Sequence, residues 1–182
     1  QNNLSMQARL ASHRENSSRV RVEPMPIIDA FEFMTSPSYM NEALFPFQRV
    51  VIKTFYRLWP KYPPDPEEEA FLNLEQKKWD ITIDVDSSVP IQNLIIVAGR
   101  RAGKTEIISG IAVYSLYRLI CLGNPQSHYG MSDRHPIHIM HVACKAEQAG
   151  NIFEGTKDKI FRMPFFKDFI DHERNNSSGL GL

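Results

Sequence analysis

The sequence is short of features that would assign it to a class at once. Its 182 residues include only two cysteines, Cys121 and Cys144, whose spacing fits neither a disulfide framework nor a metal-binding motif. Both have apolar neighbours, so we expect buried free thiols. The 21 Lys and Arg residues are balanced by 21 Asp and Glu residues, and therefore no overall basic charge indicates a nucleic-acid ligand. Long uninterrupted apolar runs are lacking too. The longest apolar segment, 107–122, is interrupted by polar residues, so it predicts a buried helix and not a membrane span.

What the sequence does contain is typical of a globular domain. Hydrophobic residues make up 42% of it and charged residues 23%. Residues 1–24 are polar and rich in Ser, Asn and Arg, which predicts a flexible arm. Residues 25–182 have the apolar periodicity and turn signals of a folded domain with a core.

One motif stands out from this background. An apolar run, Leu94–Val97, leads into a loop that ends in Gly103, Lys104 and Thr105 and is followed by a helical pattern. A strand, a glycine-bearing loop and a helix in this order form a phosphate-binding P-loop, because loop N–H groups and the helix N-terminus attract an anion. We therefore predict that Lys104 contacts the terminal phosphates, that Thr105 ligates Mg²⁺, and that the nucleotide is held by the loop residues Ala98, Gly99, Arg100, Arg101, Ala102, Gly103, Lys104 and Thr105.

Two arginines inside the loop are unusual. Arg100 and Arg101 stand where most P-loops carry small or neutral residues. A guanidinium is permanently charged and can bind two phosphate oxygens at once, so we predict that one of the pair contacts the γ-phosphate and assists catalysis. The alternative is that both arginines point to solvent or pair with carboxylates. We expect one to point inward and the other outward.

The order of elements around the motif predicts an α/β fold. Helices are expected from Pro46 to about Trp59, from Pro66, over 104–122 and from about Lys145 to Phe161, with shorter helices or turns within 27–34 and 163–166. Strands are expected over 80–90, 91–98 and 137–143. The predicted fold is a P-loop NTPase domain in which a parallel sheet is flanked by helices.

The string Ala98–Thr105 followed by Glu106 resembles the Walker A motif of phage terminase large subunits, which pump double-stranded DNA into procapsids. Two further segments are similar to that family in order and spacing. Leu44–Gln48 resembles its adenine-recognition segment, and 138–149 resembles its second strand and the helix after it. The resemblance covers about residues 40–170 and implies the additional-strand type of P-loop sheet. It also implies that Gln48 reads the adenine base.

The resemblance implies a function and partners. The protein would be an ATPase that couples hydrolysis of Mg²⁺-ATP to DNA translocation, as a homo-oligomeric ring with double-stranded DNA, a portal protein and a small terminase subunit. Its location would be the host cell cytoplasm, without membrane contact. The family's acidic Walker B strand and nuclease domain do not occur in the sequence, so we expect residues 25–182 to be the first part of the ATPase domain, with little turnover of its own.

Two other functions fit the same motif. A helicase-like DNA translocase would use the same P-loop and glutamine. A nucleotide-binding interaction module that does not hydrolyse its ligand would use the loop alone. The Arg-Arg pair favours the terminase over the helicase-like translocase.

Overall fold

The computed structural model describes residues 23–170 apart from positions 83, 86, 100 and 133. Its helices are α1 (Ala30–Thr35), α2 (Pro46–Phe55), α3 (Pro66–Trp79), α4 (Lys104–Cys121), α5 (Pro125–His128) and α6 (Ala146–Arg162), followed by a 3₁₀ helix, Pro164–Phe166. The chain divides into two compact units. The larger comprises Ile28–Tyr117 and His138–Leu182, and the smaller comprises Gln1–Ile27 and Arg118–Ile137. Of residues 1–24, predicted to be a flexible arm, all but the last two lie outside the described part.

Proline and acidic residues mark the starts of the helices as the sequence predicts. Pro46 and Pro66 each occupy the first turn of a helix, where the missing N–H costs nothing. Asp65 caps α3 by accepting hydrogen bonds from the N–H groups of Glu67 and Glu68, both at 2.9 Å. The Glu68 carboxylate in turn accepts a hydrogen bond from the Asp65 N–H at 2.9 Å, which completes a capping box.

An ion-pair network fixes α2 against α3. Arg49 of α2 contacts the carboxylates of Asp65, Glu67 and Glu68 at 2.9 to 3.1 Å. One turn further, the Lys53 ammonium lies 2.7 Å from a Glu68 oxygen, and both side chains are buried. Apolar packing of Val50 and Leu72 accompanies the network. Together these contacts set the position of the first turn of α2, where Gln48 lies.

An aromatic cluster forms the core of the larger unit beside α4. The rings of Phe33 and Tyr117 lie 4.6 Å apart, and Phe165 packs on Tyr117 at 5.0 Å. Phe33 and Tyr117 are almost completely buried. The Tyr114 hydroxyl donates to the Ile28 carbonyl at 3.0 Å, which satisfies its polar end inside this apolar region. The cluster thus holds the middle of α4, whose first turn follows the predicted P-loop.

In the smaller unit, α4 ends before a short turn. Gly123 has a φ of 68°, a left-handed conformation that favours glycine after a helix. Asn124 then caps the four-residue helix α5, which the sequence did not predict, by accepting from the Ser127 N–H at 3.0 Å. The Met25 N–H donates to the carbonyl of Cys121 at 2.8 Å. Cys121 is buried as expected, but Cys144, in the larger unit, is exposed, so the prediction of two buried thiols is wrong for Cys144.

The predicted parallel sheet is not confirmed. In the described residues the segments 80–90, 91–99 and 136–143 contain no paired strand, although 91–99 leads into the P-loop as predicted. Several of their apolar side chains are exposed: Ile95 and Val97 are 86% and 91% exposed, and Met140 and Val142 are 79% and 85% exposed. A strand is stabilised by hydrogen bonds to a neighbouring strand, and an apolar sequence alone does not supply them.

None of the helices within residues 23–170 combines the length and the apolar character that a bilayer span requires.

Candidate phosphate-binding site

The loop between the extended segment and α4 folds back through two left-handed residues. Arg101 has a φ of 62° and Gly103 a φ of 70°, and α4 begins at the next residue, Lys104. Left-handed residues in a short loop turn successive N–H groups toward a common point, as in anion-binding loops. The sequence thus has the loop–helix half of a P-loop, and the N-terminus of α4 adds the positive end of its dipole.

Lys104 closes the loop on itself. Its ammonium donates to the carbonyl of Ala98 at 2.7 Å and to that of Gly99 at 2.5 Å. The first residue of α4 is therefore bonded to the first two residues of the loop, and its ammonium is partly exposed. An incoming phosphate would meet this ammonium, which can exchange carbonyl oxygens for phosphate oxygens by rotating its side chain.

Gln48 braces the loop from α2. Its amide nitrogen lies 3.5 Å from the Gly103 carbonyl, and its amide oxygen accepts the Phe45 N–H at 2.9 Å. The same Gly103 carbonyl accepts the Ile107 N–H at 3.1 Å, so it joins α2, the loop and α4. Gln48 is only 2% exposed. The structure thus brings Gln48 to the loop, and its contact with adenine stays a prediction.

Gly103 fits so closely against Gln48 that a side chain at position 103 would have to displace the Gln48 amide. A Cβ built on Gly103 would lie 2.5 Å from the Gln48 amide nitrogen. At Gly99, by contrast, an added Cβ would meet nothing within 4 Å. The glycine at position 103 is therefore required by both its left-handed φ and its neighbour, whereas Gly99 borders open space.

The remaining predicted site residues lie at the mouth of the loop. Arg101 and Thr105 are exposed, and Ala102 is half-buried; Arg100 lies outside the described residues. Of the Arg100–Arg101 pair, therefore, only the exposed Arg101 can be described. The Thr105 side chain lies in the first turn of α4, next to Lys104, and is exposed; its contact with Mg²⁺ stays a prediction. Across the described part of the chain, no three His, Cys, Asp or Glu side chains gather into a metal site.

Sequence reasoning missed one element of the site. Lys159 of α6 forms ion pairs with Glu42, at 2.5 Å, and with Glu106 in the first turn of α4. Although burial lowers the pKa of Lys159, the hydrogen bonds that its ammonium donates to Glu106 and Glu42 outweigh that effect and raise the pKa. The partners lie 53 and 117 residues away in sequence, and no local spacing signals such a pair.

Comparison with known proteins agrees with this geometry at the level of the domain. Neither a search of curated proteins nor a search of solved structures gave a match. A family model described as the N-terminal P-loop domain of uncharacterized protein MJ0330 matches residues 7–179. The match extends over almost the whole chain and includes the loop, Gln48 and Lys159. The chain therefore belongs to this family of P-loop domains.

Proposed function

We propose that this P-loop domain binds Mg²⁺-ATP and serves as the ATP-binding part of a DNA-packaging motor of the terminase type. The observation that carries the nucleotide proposal is the Lys104 ammonium, which two loop carbonyls hold at the start of α4, in a loop that Gln48 contacts. Phosphate has the charge and the oxygen geometry to replace the Ala98 and Gly99 carbonyls around that ammonium.

Each residue of the site has a role in this proposal. Lys104 binds the terminal phosphates, and the N–H groups from Ala98 to Thr105 line the phosphate chain. Thr105 holds the metal, whose charge stabilises the negative charge that develops during phosphoryl transfer. Gln48 keeps Gly103 in place and borders the base. Arg101, with its exposed guanidinium at the mouth of the loop, contacts the γ-phosphate, and Arg100 is the alternative for that contact.

Support for the motor comes from the resemblance of the loop and of the Gln48 segment to terminase large subunits. In this proposal the protein works as a ring with double-stranded DNA, a portal protein and a small terminase subunit in the cytoplasm of an infected cell. ATP hydrolysis by the ring would drive translocation. A helicase-like translocase and a module that binds without hydrolysis are the competing functions.

Nucleotide binding is tested by titrating the protein with a fluorescent ATP analogue in the presence of Mg²⁺. We expect Lys104→Ala to weaken binding at least tenfold, because a charge-assisted contact to phosphate contributes about 1.5–3 kcal/mol. Lys77→Ala is the matched control, because Lys77 lies in the last turn of α3 and is exposed. Equal affinity of the Lys104→Ala variant and the unaltered protein would refute the phosphate site.

The motor is tested separately by measuring phosphate release with and without double-stranded DNA, portal protein and small subunit. Stimulation by the complete set supports the packaging motor. Stimulation by DNA alone, with unwinding of a duplex, would indicate the helicase-like alternative. Tight binding without turnover under every condition would favour the non-hydrolysing module.

A further inference from the structure

A buried lysine bridges two carboxylates next to the phosphate site. The Lys159 side chain is 10% exposed and contacts Glu42 and Glu106, whose side chains are 30% and 48% exposed. Glu106 lies two residues after Lys104 in the first turn of α4. A negative charge therefore lies in the first turn of α4, the turn that the proposed function assigns to the phosphates.

Contacts on two sides accompany these ion pairs. Gly155, one turn before Lys159 on α6, lies in ordinary van der Waals range of Ser109 on α4, because a Cβ added to Gly155 would lie 3.7 Å from the serine side chain. On the other side, the Glu42 N–H donates to the carbonyl of Met34 at 2.8 Å, which fixes the backbone that carries the second carboxylate. These contacts favour the pairing of Lys159 with both carboxylates.

An unneutralised Glu106 would weaken nucleotide binding. Its charge lies in the first turn of α4, where the positive end of the helix dipole attracts an anion, and it would oppose that attraction. The repulsion is partly screened by salt and increases with the charge of the ligand.

We propose that Lys159 is a positioning residue of the nucleotide site: it neutralises Glu106 and so preserves the positive potential of the first turn of α4 for phosphate. This inference rests on the proposed binding of nucleotide by Lys104. It extends the site from the loop to α6 and assigns a role to a residue outside the P-loop motif.

The test compares the affinities of fluorescent ATP and AMP analogues in Lys159 and Glu106 variants, with thermal unfolding of each variant as a check on folding. We expect Lys159→Met to weaken ATP binding about three- to tenfold and AMP binding less, because an unneutralised unit charge repels a triphosphate more strongly than a monophosphate. Lys159→Arg should retain most of the affinity. The double variant Lys159→Met/Glu106→Gln should recover it, because the exposed charge has been removed.

Two further variants keep the test decisive. Lys157→Met is the matched control, since Lys157 lies on the same helix with its ammonium over the Phe153 ring at 6.0 Å. Glu106→Gln alone should change ATP affinity less than twofold, because Lys159 already neutralises Glu106. This variant alters a half-exposed side chain and remains informative even if Lys159→Met does not fold.

The outcomes separate the inference from the proposed function. Failure of the unaltered protein to bind ATP, or binding that does not depend on Lys104, overturns the proposed function and this inference with it. Lys104-dependent binding that Lys159→Met leaves unchanged overturns the inference alone. So does a loss of affinity that the double variant fails to reverse, or a gain of more than threefold from Glu106→Gln alone.

Discussion

Replacing Gly103 by alanine tests the contact between the loop backbone and the Gln48 side chain. Gly103 has a φ of 70°, and an alanine in that region costs about 1–2 kcal/mol. The new Cβ would lie 2.5 Å from the Gln48 amide nitrogen, so Gln48 must move. Its displacement breaks the bonds to Gly103 and Phe45, at about 1 kcal/mol each. Because alanine reduces the conformational entropy of the unfolded chain, it also adds about 0.4–1 kcal/mol to the free energy of unfolding. We expect a net loss of about 2–3 kcal/mol in the free energy of unfolding.

Urea denaturation monitored by circular dichroism measures this loss, and Gly99→Ala provides the control in the same loop. Because an added Cβ at Gly99 meets nothing within 4 Å, we expect its free energy of unfolding to change by less than about 0.5 kcal/mol. The double variant Gly103→Ala/Gln48→Ala should lose less than the sum of the two single changes, because the steric conflict disappears with the glutamine side chain.

Equal stability of the Gly103→Ala and Gly99→Ala variants would refute the reasoning. So would strict additivity of Gly103→Ala and Gln48→Ala, because it would mean that the two residues do not touch. Nucleotide titration of the same variants then shows whether the Gln48–Gly103 contact also affects phosphate binding.

Two more predictions concern the framework that holds the site. Glu68→Ala should lower the free energy of unfolding by about 3–5 kcal/mol, because it leaves the buried Lys53 ammonium without its 2.7 Å partner. Glu69→Ala, at an exposed position, is the control. A loss below about 1 kcal/mol for Glu68→Ala would contradict the ion-pair network. The second prediction concerns pH: burial raises the pKa of Asp29, but hydrogen bonds from the Glu32 N–H, Lys61 and Tyr62 outweigh it and lower that pKa below its usual value. The carboxylate therefore stabilises the fold above about pH 4, and this contribution disappears as the pH falls through the lowered pKa. Asp29→Asn should flatten the acid limb of the stability profile, and an unchanged acid limb would argue against the Asp29 contacts.

The helices were largely predictable because their signals are local. Pro46 and Pro66 mark the starts of two helices, and Lys104 begins α4, as the apolar periodicity and the cap residues predict. The strands were not confirmed, because a strand depends on a partner that no local pattern supplies. The exposed Val97 and Val142 are apolar residues at expected strand positions, but apolar character alone does not identify the neighbouring strand.

The candidate site was predictable to a similar extent. Glycine, lysine and threonine at fixed spacing identify the loop, and the resemblance drew attention to Gln48. Its contact with Gly103 spans 55 residues in sequence, and that of Lys159 with Glu106 spans 53. Such contacts depend on how α2 and α6 pack, which the spacing of residues along a single helix does not determine.

The two carbonyls around Lys104 also bear on how the site is vacated. When a phosphate leaves the ammonium that the proposed function assigns to it, water or a protein group must take its place. Here the carbonyls of Ala98 and Gly99, at 2.7 and 2.5 Å from the ammonium, can take over as the ligand withdraws. The loop thus carries its own exchange partner for phosphate. In a cyclic enzyme this arrangement would favour rapid replacement of spent nucleotide over maximal affinity, since every binding event must first displace the internal partner.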